Sequence, residues 1–321
     1  MPPTLSLIVP TRGRPGPLRR FLDSLAATTS QPARLEVILV VDHDDPASHQ
    51  ISHPRLPIRQ VVGPPGQTMG ELNVAGFEAS VGAFVMLLND DVVVQTRGWD
   101  AVLLRAASRF PDQIVLVHVN DTLMREHLCT FPLLSRRFCE FAGGICPTTY
   151  LRYRIDDHIE DIFNLLAALG ERRTVYLPDV IFEHRNAVER PGTDRVYEAD
   201  PAILAEDAPR FDALFPARKE IALRLLEIIE GRIDAALTAS REEQLACITD
   251  PFALRTPGRQ IVVRAAWWRR HPGLRAQAIE AGRRVQNRYR VSGSWGLLRA
   301  IGRRLGCLIQ EPAEAVAPPE R

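Results

Sequence analysis

The apolar positions in the first half of the chain fall into two alternating patterns. Residues 6–9 are a short, β-branched apolar run closed by Pro10, the mark of a buried strand. Residues 17–28 follow with Leu18, Phe21, Leu22 and Leu25 at the spacing of one helix face. The alternation then repeats. Residues 35–41 (LEVILVV) predict a second strand that runs into the acidic turn DHDD, and residues 58–62 predict a third that runs into GPPG. Residues 68–80 read as a helix, and 83–88 as a strand whose unbroken apolar character fits burial on both faces. Residues 99–110 predict a helix and 114–119 a further strand. A helix over 156–169 puts Ile159, Ile162, Phe163 and Leu166 on one face, and two short strands, 175–177 and 180–182, precede Glu183-His184.

Strands and helices that alternate through short connections imply right-handed crossovers, hence an α/β fold around a mainly parallel sheet flanked by helices. Such sheets bind ligands beyond the carboxyl ends of their strands. The acids of this sequence fall there, with Asp42 and Asp44 after the second strand and Asp90 and Asp91 after the fourth. After about residue 190 the character changes to helical segments, roughly 201–231 and 240–249, then a basic tail. The expected organisation is an α/β domain over 1–190, a helical extension over 191–310 and a disordered tail over 311–321 (EPAEAVAPPER).

At 321 residues the chain can bury one large core, or one large domain plus a smaller one. A net charge of +1 gives no case for nucleic acid as a partner. The five cysteines are scattered and form no CxxC pair, which removes zinc-site spacing and suits free thiols in a reducing compartment. No apolar run reaches the roughly 18–20 residues of a spanning helix, and Arg12 and Arg14 follow the first apolar run, whereas a signal peptide carries its charge ahead of it. The expectation is a cytoplasmic protein. In the basic tail, Trp295, Leu298, Ile301, Leu305 and Leu308 can share a helix face with Arg299, Arg303 and Arg304 off it. That pattern suits peripheral contact with the inner face of an anionic membrane, or packing on the α/β domain or a second subunit.

The acidic pair Asp90-Asp91 is ambiguous by itself, since a solvated turn looks the same as a cation site completed by substrate phosphates. Its surroundings say more. The stretch GQTMGELNVAGFEASVGAFVMLLNDDVVVQTRGWD, with LSLIVPTRGRPGPLRRFLDSL and VILVVDHDD before it, resembles the inverting family 2 glycosyltransferases of the nucleotide-diphospho-sugar transferase superfamily. The resemblance covers roughly residues 4–186 and implies the GT-A fold. It makes 1–190 the nucleotide-sugar-binding and catalytic domain. It places Asn73 and Gly76 on the family's helix, Val81-Gly82 at its turn and Asn89-Asp90-Asp91 at its DxD-like triplet. Asp91 matches the metal-ligating position; Asn89 stands where many members have Asp, and its amide can still bond a ribose hydroxyl. Asp90 goes with the nucleotide. Asp42 matches the acid that meets base or ribose, with Asp44 as the alternative, and Pro10, Thr11 and Arg12 match the loop over the nucleotide.

Family members also carry a catalytic base at the start of a helix, because the attacking hydroxyl must lose its proton. In RIDDHIEDIFNLLAALG the candidates are Asp156, Asp157, Glu160 and Asp161, with Asp157 the first choice and Asp161 on the same helix face; helix capping is the other use for Asp156 and Asp157. His184, in YLPDVIFEHRN, matches the histidine that completes the metal shell, and the implied cofactor is Mn2+ or Mg2+. Arg136 or Arg137 could meet a phosphate. The implied reaction moves a single sugar from a nucleoside diphosphate sugar, a UDP-sugar by family habit, to a hydroxyl of a glycan, lipid-linked or small-molecule acceptor, with inversion. The alternative is a non-catalytic nucleotide-sugar-binding or scaffold protein of the same fold, favoured by Asn89 and an imperfect ED alignment. A nucleotidyltransferase would need the GxGxR signature with a nearby lysine, yet Lys219 is the one lysine; WWRRHPG is not the QxxRW motif of processive synthases.

Overall fold

The computed structural model describes residues 4–185, 200–231, 235–254 and 260–263. The arginine-rich tail, its tryptophans and residues 311–321 lie outside the described residues.

Nine strands form the sheet: β1 Leu5–Thr11, β2 Leu35–Asp42, β3 Ile58–Gly63, β4 Phe84–Leu87, β5 Val92–Val94, β6 Leu116–Asn120, β7 Leu133–Ser135, β8 Thr174–His184 and β9 Ile261–Val262. Their order is β3-β2-β1-β4-β7-β6-β8-β5, with β9 beside β8. Among the described residues five pairings are parallel and three antiparallel. The antiparallel ones come from β5 and β7, segments too short to show a period in sequence.

The helices are α1 Pro15–Thr28, the single turn α2 Pro46–His49, α3 Met69–Ala79, α4 Trp99–Ala107, α5 Arg136–Ala142, α6 Ile155–Ala168, α7 Asp200–Ala213, α8 Phe215–Glu230 and α9 Ala235–Ala246. Among the described residues no helix is long and apolar enough to cross a membrane.

Strand residues alternate between two apolar layers, as the two-residue period of a pleat requires. Leu7 and Val9 of β1, Val37 and Leu39 of β2 and Met86 of β4 pack with Leu18, Phe21, Leu22 and Leu25 of α1 and Trp99 and Leu103 of α4. Ile8, Ile38, Val40 and Val85 turn the other way, toward a cluster with Phe138 of α5, Ile159 and Phe163 of α6 and Leu225 of α8. Each run therefore reads as continuous and apolar because neither face meets water.

Helix α3 starts in a full capping box. The Thr68 hydroxyl accepts from the Glu71 N–H (3.0 Å), and the Glu71 carboxylate accepts from the Thr68 N–H (2.7 Å). Gly76 brings this helix onto the sheet, since a Cβ there would stand 2.4 Å from Ile8 Cγ2 and 3.0 Å from Val40 Cγ2. The close approach holds Asn73, one turn earlier and 5% exposed, over the strand ends.

The two short strands expected near 175–182 are one strand. Its first part pairs with β6 and its end pairs with β5, with a register irregularity opposite Val119-Asn120. Pro178 and Asp179 break the apolar run without ending the strand, and the bulge re-aims it.

Candidate active site

The cleft lies where the fold predicts it, beyond the carboxyl ends of β1, β2 and β4. Its volume is about 690 Å³. Pro10, Thr11, Arg12, Asp42 and Asn73 line one part, Asn89, Asp90 and His184 another. Leu151, Arg152, Tyr153 and Asp156 supply further lining.

The loop after β1 is built by hydrogen bonds to acids on two other strands' ends. Gly13, at φ +65°, donates its N–H to Asp45 Oδ2 (2.7 Å). Arg12 donates to Asp42 and, at 2.9 Å, to Asp44. Asp42 is buried at the cleft, whereas Asp44 is exposed and meets Arg12 only from outside the lining. Thr11 Oγ1 donates to Asp90 Oδ2 at 2.7 Å.

Arg14 spans the acidic pair. Its Nη1 is 2.8 Å from Asp90 Oδ1 and its Nη2 3.0 Å from Asp91 Oδ2. In sequence Arg14 carries no mark of a site residue beyond its place in the loop TRGRP after the first strand. Both carboxylates are almost wholly buried, so a fixed guanidinium offsets charge that water cannot reach.

His184 comes to the same place through strand register, because Val92 of β5 pairs with His184 of β8. His184 Nε2 lies 3.4 Å from Asp91 Oδ1 and 3.1 Å from Asn89 Nδ2. Burial opposes charge on Asp91. The hydrogen bond and charge of His184, with the charge of Arg14, outweigh it and hold this carboxyl well below the usual carboxylate range.

A divalent cation fits this arrangement in its donor types. Asn89 Nδ2 and Asp91 Oδ1 both approach His184 Nε2, so the imidazole links the amide to the acid. A neutral imidazole and a carboxylate are both donor types for a divalent cation, and of the two His184 lines the cleft. Among the described residues no group of three or more His, Cys, Asp or Glu could hold a metal ion by itself. Two protein donors are nonetheless enough where substrate phosphates and water supply the rest.

The acids of α6 part company. Asp156 lines the cleft and its Oδ1 accepts from the Asp157 N–H at 3.0 Å. Asp157 is buried and pairs with Arg154 (3.2 Å). Asp161, one turn further, is buried against Arg218 of α8 at 2.5 Å. His158 packs on Tyr150, its Nδ1 3.0 Å from the tyrosine hydroxyl, and burial with the charge of Arg218 pulls its pKa down to about 3, which makes it a neutral core histidine. Arg136 is tied to Gly82 O and to Ser80 O and Oγ and stacks on Phe77, while Arg137 lies over Phe141. Neither lines the cleft.

Mixed α/β with a central sheet flanked by helices, the fold is that of the GT-A glycosyltransferase structures. Residues 6–153 match the family model described as Glycosyl transferase family 2. Among solved structures it is similar to "Mannosyltransferase PcManGT from Pyrobaculum calidifontis in complex with GDP-Man and Mn2+". The identity is 17%, the coverage 95% of this chain and 88% of that one, and the TM-score 0.50. It also matches S. aureus TarS 1-349 in complex with UDP, at 14% identity, 78% and 89% coverage and a TM-score of 0.41. No curated protein is similar enough in sequence to match.

Proposed function

We propose that the protein is a glycosyltransferase that moves one sugar from a nucleoside diphosphate sugar to an acceptor hydroxyl, with inversion and with a divalent cation. One observation carries the reading: a single cleft gathers Asp42, Asn73, Asn89 and Asp90 from the segment that matches the family 2 model, with Asp156 and His184 from beyond it. Asp42 and Asn73 would bond the base or ribose, and Asn89 and Asp90 the ribose and diphosphate side. Asp91 and His184 would hold Mn2+ or Mg2+. When bound, such an ion offsets charge on the diphosphate leaving group. The complex of the Pyrobaculum mannosyltransferase contains both a nucleoside diphosphate sugar and Mn2+. That pairing supports a nucleoside diphosphate sugar as the donor.

Asp156 is the proposed base, because it is the α6 acid that lines the cleft. Its carboxylate would take the acceptor hydroxyl's proton as that oxygen bonds to the anomeric carbon. The bond from that carbon to the diphosphate oxygen breaks, and its electron pair leaves with the nucleoside diphosphate. A single displacement inverts the centre and needs one carboxylate only. Holding donor and acceptor in line supplies much of the rate.

The test is nucleoside diphosphate release from UDP-, GDP- and dTDP-sugars with Mn2+, water serving as the slow acceptor. Release from one donor, abolished by chelation and by Asp91→Ala, supports the enzyme. Binding of one nucleotide without release from any donor supports the non-catalytic reading, which Arg14 lying across Asp90 and Asp91 favours. Neither binding nor release would sink both.

A further inference from the structure

The part of the cleft that carries the proposed base is held from outside the segment that matches the family. Leu151, Arg152 and Tyr153 line the cleft just ahead of α6. Their three backbone N–H groups converge on one side chain, Asp207 of α7. Leu151 N is 2.9 Å from Oδ1, and Arg152 N and Tyr153 N are 2.9 and 2.8 Å from Oδ2. Arg210 adds Nη1 at 3.2 Å to Oδ1. Asp207 is 0% exposed. A carboxylate taken wholly out of water is costly unless its lone pairs are filled, and here both oxygens are used.

The other edge of the same segment is paired to the start of α3. Leu151 O accepts from the Met69 N–H (2.8 Å), Tyr150 O from the Gly70 N–H (3.0 Å) and Thr148 O from Thr68 Oγ1 (2.6 Å). Gly70 allows the approach, since a Cβ there would meet Pro147 O at 2.4 Å. The segment is thus clamped between a helix of the nucleotide half and a helix beyond residue 200. Arg154, in the left-handed region at φ +69°, turns the chain from the clamp into α6, so the direction taken by Asp156 follows from where the clamp holds residues 151–153.

We propose that Asp207 is a positioning residue for sugar transfer: by gripping the 151–153 backbone it orients Asp156 in the cleft and makes α7 part of the acceptor side of the site. This rests on the reading of Asp156 as the base. An asparagine at 207 offers one acceptor oxygen where two are in use, so at least one N–H loses its partner. A glutamate keeps both oxygens on a stem longer by one methylene.

The experiment uses the full chain with Asp207→Asn and Asp207→Glu, and three readouts: hydrogen exchange by peptide, nucleoside diphosphate affinity with Mn2+, and release from the donor. In Asp207→Asn, exchange over residues 148–156 should rise about tenfold while β1 and β4 stay protected. Nucleotide affinity should stay within about threefold while release falls about 30-fold, the mark of misplacement without lost binding. Asp207→Glu should recover part of the release. Should the asparagine variant fail to fold, the glutamate variant, which shifts the segment without freeing it, carries the same exchange and release readouts. Unchanged local exchange would overturn the clamp. Raised exchange with unchanged release, or nucleotide affinity lost in step with release, would overturn positioning in favour of a plain structural anchor. A wild type that releases nothing from any donor removes the transferase reading and this role with it. The exchange result would still show whether Asp207 grips the segment, so the two failures can be told apart.

Discussion

His184 Nε2 stands 3.4 Å from Asp91 Oδ1, and backbone pairing puts it there: His184 is opposite Val92 in the β5–β8 ladder, and the Arg185 N–H donates to Asp91 O at 3.2 Å. A pair fixed by sheet register cannot drift apart without breaking the ladder. If it holds the cation, Asp91→Ala and His184→Ala should each weaken Mn2+-dependent binding of a nucleoside diphosphate by about tenfold or more, because even outer partners of a metal site commonly cost that much. Calorimetric titration with and without Mn2+ checks it. Variants that still gain the wild-type increment from Mn2+ would place the ion elsewhere.

The choice of base is open to a paired comparison. Asp156→Asn should lower nucleoside diphosphate release by about 10²–10⁴-fold, the usual worth of a general base, with nucleotide affinity unchanged. Asp157→Asn should do much less, since that carboxylate is buried against Arg154 at 3.2 Å. The reverse ranking would move the role to Asp157.

Asp161 and Arg218 join α6 to α8 by a wholly buried ion pair at 2.5 Å, with Arg218 also donating to Phe211 O (2.7 Å) and lying over the Phe211 ring. Removing one partner strands the other charge in the core, so Arg218→Met should cost about 3–5 kcal/mol in urea unfolding. Arg218→Met with Asp161→Leu should recover much of that loss. A single-variant cost below about 1 kcal/mol would mean the pair is solvated on average.

Two buried histidines predict acid sensitivity. Burial lowers His118 to about 4, against a weaker opposing pull from its Gln260 hydrogen bond, and lowers His158 to about 3. The unfolded chain takes up these protons near pH 6.5 and the folded protein does not, so stability falls as pH drops from about 6.5 toward those values. Each histidine contributes a slope of about 1.4 kcal/mol per pH unit inside its window. Urea unfolding of His118→Asn between pH 6 and 4.5 should show the wild-type slope reduced by one proton. An unchanged slope would show that His118 is protonated in the folded state.

The α/β alternation, the strand-end acids and most helix limits were legible because burial on both sheet faces writes long apolar runs, and helices write a 3.6-residue period. Asp42, Asn73, Asp90 and His184 could be placed in the cleft on the resemblance, and the structure brings all four to it. Strands β5 and β7 carried no such mark, three residues being too few for any period. Nor could spacing separate Asp156, Asp157 and Asp161. Helical periodicity puts Asp157 and Asp161 on one face, yet the use of each is set by Arg154, by Arg218 and by the cleft itself, all of them tertiary neighbours.

By itself, then, the sequence determined the layers of the fold, because hydrophobic period is a local property, and it pointed to the kind of chemistry only through the family resemblance. Which acid faces the cleft, the bridge from Arg14 to Asp90 and Asp91, and the grip of Asp207 on residues 151–153 were decided only by the tertiary structure. These are contacts between side chains and backbone far apart in the chain, and no local pattern encodes a hydrogen bond whose partner lies in another helix.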